Sequence, residues 1–315
     1  MKTFEEVIES GMIDLQQIEN NRQEQILLEK AQFKKGLMIA GGSVVVVSIF
    51  SLATGIFPLI IGVLIIALVV FLIWWQSVKK KYITSTKISV VEKVIKSIDE
   101  SFVYQPTKFI PKATFKLSGF EKNYNSYTGE DYFYGIINSI PLEFSELTVQ
   151  SKSKNSTVTV FRGTFMAIEF NRNFVGRTTV VPDKMEKALG SFGRVLQNLT
   201  FFRDALVKIN HPDFEKNFAI YSTNEAEAQQ ILSGSLANYL LELQSKTERG
   251  IYFSVNGNKF YLGLFNNKDI FHVDIKTPIN EATIRQYYED TVFNINMAVN
   301  VFYYLEENLQ NQYLN

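Results

Sequence analysis

The sequence predicts an α+β protein: a two-helix transmembrane hairpin followed by a cytoplasmic domain of antiparallel sheet with packed helices. Three observations carry this reading. Between Lys35 and Lys79 no residue is charged, a stretch too long and too apolar for the core of a soluble domain. From Tyr132 onward, runs rich in Thr, Val, Ile, Phe and Tyr alternate with short polar breaks, the pattern of an antiparallel meander. Later segments repeat apolar residues at helical spacing, which supplies the helices to cover such a sheet.

The apolar stretch holds two runs, Gly36–Ala53 and Leu59–Trp75, separated by Thr54–Pro58. Each run, at about 1.5 Å per residue, reaches close to the roughly 30 Å of a bilayer's hydrocarbon core. One continuous helix would be about twice too long, and Gly55 and Pro58 supply the break. Lys34 and Lys35 precede the first span, Lys79, Lys80 and Lys81 follow the second, and the turn has neither Lys nor Arg. The positive-inside rule then places both termini in the cytoplasm, with two spans in a bacterial inner membrane. Trp74 and Trp75, at the end of the second span, fit the headgroup level on the same side. Gly41, Gly42, Gly55 and Gly62 permit close helix packing, within the hairpin or between protomers.

Before the spans, Phe4–Phe33 reads as one amphipathic helix, acidic at its start and basic at Lys30, Lys34 and Lys35, as the helix dipole favours. An acidic polar face suits packing on protein better than lying on lipid. The partner is either the cytoplasmic domain or the same helix of a second protomer. After the spans, Ile83–Val103 shows a helical apolar face through Ile88, Val91, Val94, Ile95 and Ile98. Strands follow at Tyr132–Ile137, Leu142–Val149, Val158–Phe170 and Thr178–Val181. Lys216–Tyr221 is a further strand, and Ser222-Thr223-Asn224-Glu225 reads as a capping box opening a helix to about Gln244. Ile251–Val255 and Lys259–Phe265 flank Asn256-Gly257, the pair favoured in a type I′ hairpin turn. Ile270–Ile275 is expected to continue the sheet, and a long helix, Glu281–Leu309, to close the chain. The resulting division is residues 1–35, 36–78 and 79–315, the last with two lobes at about 104–210 and 211–315.

Composition narrows the chemistry. The chain carries 32 basic and 32 acidic residues, and from Tyr82 onward 24 face 25, so no basic field invites nucleic acid. There is no cysteine and there are two histidines, which removes disulfides, Cys-based zinc sites and a Cys nucleophile. No metal-site or cofactor motif is legible. His211-Pro212-Asp213 puts a histidine near a carboxylate without a serine in a nucleophile elbow, so it reads as a turn histidine.

Four residues stand out as binding candidates. Glu130 and Asp131 are adjacent carboxylates able to hold a cation or serve in acid/base work, although strand neighbours point to opposite faces. Arg172 and Arg177 lie in a polar loop between two strands and can meet an anionic headgroup or partner.

Tyr127-Thr128-Gly129-Glu130-Asp131-Tyr132, Phe161-Arg162-Gly163-Thr164-Phe165 and Asp213–Ser222, following a membrane hairpin, resemble an uncharacterised bacterial membrane-protein family, domain-of-unknown-function family thirty-one thirty-seven. The likeness runs over most of residues 80–275. It implies a membrane-anchored bacterial protein with a cytoplasmic α+β domain, and it brings no reaction or catalytic residue. The leading functional reading is a non-enzymatic, membrane-anchored binding or scaffold protein, with a protein partner or self-association besides the bilayer. The alternatives are a lipid-binding or lipid-handling module at the inner membrane surface, and an enzyme on a lipid or envelope precursor.

Overall fold

A computed structural model describes residues 2–310 except 56, 121–123, 183–203, 248–249, 267–268 and 275, with backbone alone for 57–60. The chain divides into two compact units, Met1–Ser97 with Phe271–Tyr288, and Ile98–Ile270 with Glu289–Asn315.

In the first unit α1 (Phe4–Glu9) is closed at its start by a capping box between Thr3 and Glu6. The sequence expectation of a single helix from Phe4 to Phe33 is corrected here: the chain turns at Ser10–Asp14, with Gly11 at φ 69°. A new helix, α2 (Leu15–Thr54), then starts on the Asp14 cap, whose carboxylate accepts from the Gln17 N–H at 2.9 Å. α2 runs without interruption into the first apolar run and stops at Gly55, in the left-handed conformation. α3 (Phe57–Ile98) contains the second apolar run, the lysines and the stretch beyond them in one helix. Lysine is a good helix former, so Lys79–Lys81 do not break the helix. Both helices are long and apolar enough to cross a membrane. At 40 and 42 residues each is about 60 Å long, twice what the hydrocarbon needs. Their apolar stretches leave Val46, Ile49, Phe50, Ile65, Ile66 and Leu68 exposed.

The other ends of these helices bury Ile18, Val90, Val91, Val94 and Ile95. The N-terminal helix packs on protein of its own chain. Phe4 stacks edge-on against Tyr288 at 5.7 Å, Arg285 lies over the Phe4 ring at 4.3 Å, and Arg285 pairs with Glu5. Lys93 donates to Gln17, and the Ile279 N–H donates to Glu19 at 3.2 Å.

Glu19 also accepts from the Arg22 guanidinium. That hydrogen bond, opposed by burial, holds its carboxyl down to about 2 from an ordinary 4.5. A depressed carboxyl contributes stability above its unfolded pKa and loses it as pH falls through the folded value. The contact of α2 with the Ile279 segment should therefore be intact above about pH 4.5 and weaken toward pH 2. Hydrogen exchange at the Ile279 amide across this range measures it. Unchanged protection down to pH 2 would refute the coupling.

The second unit is built on one nine-stranded sheet, every pair antiparallel. Its strands are β1 (Val103–Gln105), β2 (Ser126–Ile137), β3 (Ile140–Lys152), β4 (Thr157–Glu169), β5 (Thr178–Pro182), β6 (Ala205–Leu206), β7 (Phe218–Ser222), β8 (Ile251–Asn256) and β9 (Lys259–Phe265). The order across the sheet is β1-β2-β3-β4-β9-β8-β5-β7-β6. Strands from 104–210 and from 211–265 thus share one sheet. Along each strand alternate residues face opposite sides. One side collects Phe161, Phe165, Tyr252 and Tyr261 beneath Ile110, Phe120 and α4 (Lys112–Ser118), whose Phe115 is fully buried. The other side carries Phe133 stacked on Phe144 at 4.3 Å, with Met166, Leu262 and Phe253 buried beside them.

α5 (Pro212–Asn217) precedes β7, and His211 caps it, its Nδ1 accepting from the Phe214 N–H. The single helix expected from Glu225 to Gln244 is two: α6 (Glu225–Ile231) and α7 (Gly234–Lys246). The cap of α6 is also not the Ser222 box. Asn224 accepts from the Glu227 N–H at 3.2 Å, and Glu227 turns its carboxylate to the Val175 and Gly176 amides. The last helix, α8 (Glu281–Gln310), places Phe302 on Phe170 at 5.1 Å, and Asn308 donates to the Ile231 and Ser233 carbonyls between α6 and α7.

Two further corrections concern turns. At Asn256-Gly257 the two central residues are Gly257 and Asn258, and only Gly257 has positive φ, the type II′ pattern and not type I′. The type I′ pattern occurs instead at Asn138-Ser139, where φ is 48° and 65°. Ile270–Asp274 is irregular rather than a strand, and Ile275 lies outside the described residues. The Asp274 side chain bonds the Lys276 amide and the Thr277 hydroxyl, local bonds that replace a ladder.

Candidate functional site

Where α2 and α3 leave their apolar stretches, the first unit contains a cavity of about 820 Å³. Its wall is apolar on one side, with Ile26, Leu27, Phe33 and Trp75. Its rim carries Lys30, Lys34, Lys79 and Lys276 against one acid, Glu29. Helix periodicity makes this arrangement: Lys30 and Lys34 are four apart on α2 and share a face with the Ile26 and Phe33 turns. All four lysines are exposed while Glu29 is buried, so the ammonium groups hold the mouth. Phe33 packs on Trp75 at 4.7 Å, and the Lys79 ammonium sits 5.4 Å over the Trp75 ring. An ammonium over an indole gains a favourable electrostatic contact while its stem packs along an apolar wall.

A second cavity of about 410 Å³ lies further along the same two helices, between Ile39, Ala40 and Ser43 of α2 and Ala67, Val70 and Phe71 of α3. Lys35, Gly36 and Trp74 also line it. Gly36 is required where it stands: a Cβ there would fall 2.2 Å from the Trp74 ring. The absent side chain lets the indole seat against α2, and the series Phe33, Phe71, Trp74 and Trp75 forms one aromatic band across the helix pair. The two cavities offer cationic groups at the charged end of the helices and apolar walls along the uncharged run, the polarity of an anionic amphiphile.

The residues singled out from sequence lie in the second unit. Arg172 is exposed on the loop after β4. Arg177 makes a bidentate pair with Asp204, Nε to Oδ2 at 2.9 Å and Nη2 to Oδ1 at 2.8 Å. The Asp204 side chain is only 6% exposed, and that guanidinium is the cation that compensates its burial. Arg177→Ala should destabilise the domain by about 3 kcal/mol, because it leaves a buried carboxylate unpaired. Thermal unfolding of the variant measures this, and a loss below about 1 kcal/mol would show the pair to be of the solvent-screened kind.

Glu130 is exposed and Asp131 is buried. The expectation that they point to opposite faces of a regular strand meets a β-bulge: the β2–β3 register shifts between Glu130 and Phe133, and Asp131 has φ 57°. Its N–H reaches the Pro106 carbonyl, and the buried Tyr104 hydroxyl donates to its carboxylate at 2.5 Å. Burial first, and the Asp131 charge second, push the Tyr104 hydroxyl far above the usual phenol range. Asp131 also comes together with Glu146 of β3 and Asp269, one oxygen from each lying within 4.8 Å of the others. Sequence reading finds neither this trio nor the lysine-rimmed cavity, since their members are up to 138 and 250 positions apart.

Residues 159–302 match the family model described as "Protein of unknown function (DUF3137)". This is the family that the sequence resembles. The matched range starts at β4 and ends within α8, later at both ends than the 80–275 expected. It includes Phe161–Phe165 and Asp213–Ser222 and omits Tyr127–Tyr132. No curated protein matches the chain. Among solved structures, the chain is similar to the mycobacterial trehalose monomycolate transport factor A, TtfA, at 12% identity and a TM-score of 0.35, covering 64% of this chain and 91% of that one.

Proposed function

We propose that this is a membrane-anchored lipid-binding protein whose site is the lysine-rimmed cavity where the helix pair leaves the bilayer. The observation that carries the reading is the composition of that cavity: four exposed lysines and one glutamate around an apolar, aromatic wall. A lipid with an anionic headgroup matches it group for group, with phosphate at the ammonium rim and acyl chain along Phe33, Trp75 and the second cavity. Of the readings that the sequence leaves open, this supports lipid handling above a protein scaffold. In this reading residues 1–35, 36–78 and 79–315 are the N-terminal segment, the spanning hairpin and the cytoplasmic domain. Lys34, Lys35 and Lys79–Lys81 then lie on the cytoplasmic side, where anionic lipid and the positive-inside rule both favour them.

The test uses the full chain, purified in mild detergent and offered phosphatidylglycerol or phosphatidylcholine in mixed micelles, with retained lipid counted by native mass spectrometry. Preferential retention of phosphatidylglycerol, falling as salt rises, is the expected result. Equal retention of both lipids overturns the proposal.

A further inference from the structure

The carboxylate trio of the second unit takes no part in the lipid site. Asp131, Glu146 and Asp269 converge from β2, β3 and the segment after β9 so that one oxygen from each lies within 4.8 Å of the other two. Opposite ligands of a bound Ca²⁺, at roughly 2.3–2.6 Å each, are about 4.6–5.2 Å apart, so three oxygens at this spacing fit a single coordination shell. Carboxylate crowding alone does not make a site, and a second observation comes from the neighbouring strand. Thr164 stands directly across the β3–β4 ladder from Glu146, so both side chains leave the same face of the sheet side by side. Thr164 is 2% exposed, and its hydroxyl has no hydrogen-bond partner among the described residues. A buried hydroxyl left unbonded is costly, and a bound ion or water is the ordinary reason that one persists.

We infer that Asp131, Glu146, Asp269 and Thr164 form a binding site for a hard divalent cation, Ca²⁺ by size. All four offer oxygen, the donor set that such ions select. The bulge in β2 serves the site: with Asp131 at φ 57° its carboxylate turns inward beside Glu146, where a regular strand would carry it to the other face. The Tyr104 hydroxyl and the Ile270 N–H hold two of the carboxylates in position from outside, donating to Asp131 and Glu146, as supporting hydrogen bonds do around metal ligands. The ion thereby ties the bulge to the segment that follows β9.

The experiment is calcium titration of the full chain in detergent, by calorimetry, with the melting temperature followed alongside. One Ca²⁺ per chain and a rise in melting temperature are expected. Asp131→Asn and Glu146→Gln keep shape and hydrogen-bond acceptor, and Asn tolerates positive φ, so both should stay folded and weaken binding at least tenfold. Thr164→Val should weaken binding several-fold yet leave the metal-free melting temperature equal or higher, because the hydroxyl it removes has no partner among the described residues. No binding at millimolar Ca²⁺, Mg²⁺ binding in place of Ca²⁺, or affinity unchanged in all three variants overturns the inference. None of these results bears on lipid retention, so the two proposals fail separately.

Discussion

Gly163→Ala is expected to unfold the sheet domain or leave it barely stable. Gly163 lies in β4 between Leu147 and Phe265 in the ladders. Its φ is 144°, a backbone region essentially reserved for glycine. A Cβ there would lie 1.9 Å from the Leu264 carbonyl oxygen and 2.6 Å from the Asn266 nitrogen. Both obstacles are backbone, held by the β4–β9 ladder and by the Asn266 N–H bond to the Arg162 carbonyl. No rotamer change can relieve them, so β4 and β9 must part. Strain of about 1–3 kcal/mol for the conformation adds to the loss of central ladder bonds, giving a total above about 4 kcal/mol, at the exceptional end for a single substitution. Gly257→Ala is the calibration. That glycine has φ 62° but nothing within 4 Å of the added methyl, so its cost should stay near 1 kcal/mol, the left-handed penalty alone. Denaturant unfolding of the two variants measures the ranking. A Gly163→Ala protein as stable as Gly257→Ala would show that β4 and β9 do not approach as described.

The same glycine shows what a sequence can convey. Phe161-Arg162-Gly163-Thr164-Phe165 stands out by resemblance, yet its physical content, a close approach to a strand about 100 residues on, appears only once β9 is placed beside β4. The pair of long apolar helices was legible because run length and the absence of charge are both local properties. The meander was legible for a similar reason, since period-2 alternation is written residue by residue. Turn details were not. Asn256-Gly257 has the residues of a type I′ turn, but pairing of Asn256 with Lys259 shifts the turn by one residue. Asn138-Ser139, an unpromising pair, adopts the positive φ values because the long β2 and β3 strands fix its ends. The break between α6 and α7 likewise depends on Asn308, which caps the Ile231 and Ser233 carbonyls from α8. Of the candidate residues, Asp131 was visible as an acid, while its partners Glu146 and Asp269 and its inward turn depend on a bulge that local sequence does not announce. Lys30, Lys34 and Lys79 were read as dipole and topology signals. Their convergence with Lys276 on one cavity is tertiary.

Lys34→Gln combined with Lys79→Gln should lower affinity for phosphatidylglycerol by roughly 30-fold. Each basic side chain near an anionic lipid surface contributes about 1 kcal/mol, and two such losses give about 2 kcal/mol. Lys79 contributes twice over, since its ammonium is also held above the Trp75 ring and its loss frees the indole that walls the cavity. A general charge effect would produce a similar number, so the decisive comparison is Lys80→Gln combined with Lys81→Gln. Those residues adjoin Lys79 in sequence and carry the same total charge, but neither lines the cavity. On a helix they project about 100° and 200° away from Lys79, toward other surroundings. If a cavity binds the headgroup, the first pair loses most of the affinity and the second pair little. If the lysines act only as a basic collar around the helix exit, the two pairs lose equally. Equal losses would end the cavity proposal while sparing the reading of α2 and α3 as membrane spans, because topology depends on the summed charge of the flank and the lipid site depends on which faces that charge occupies.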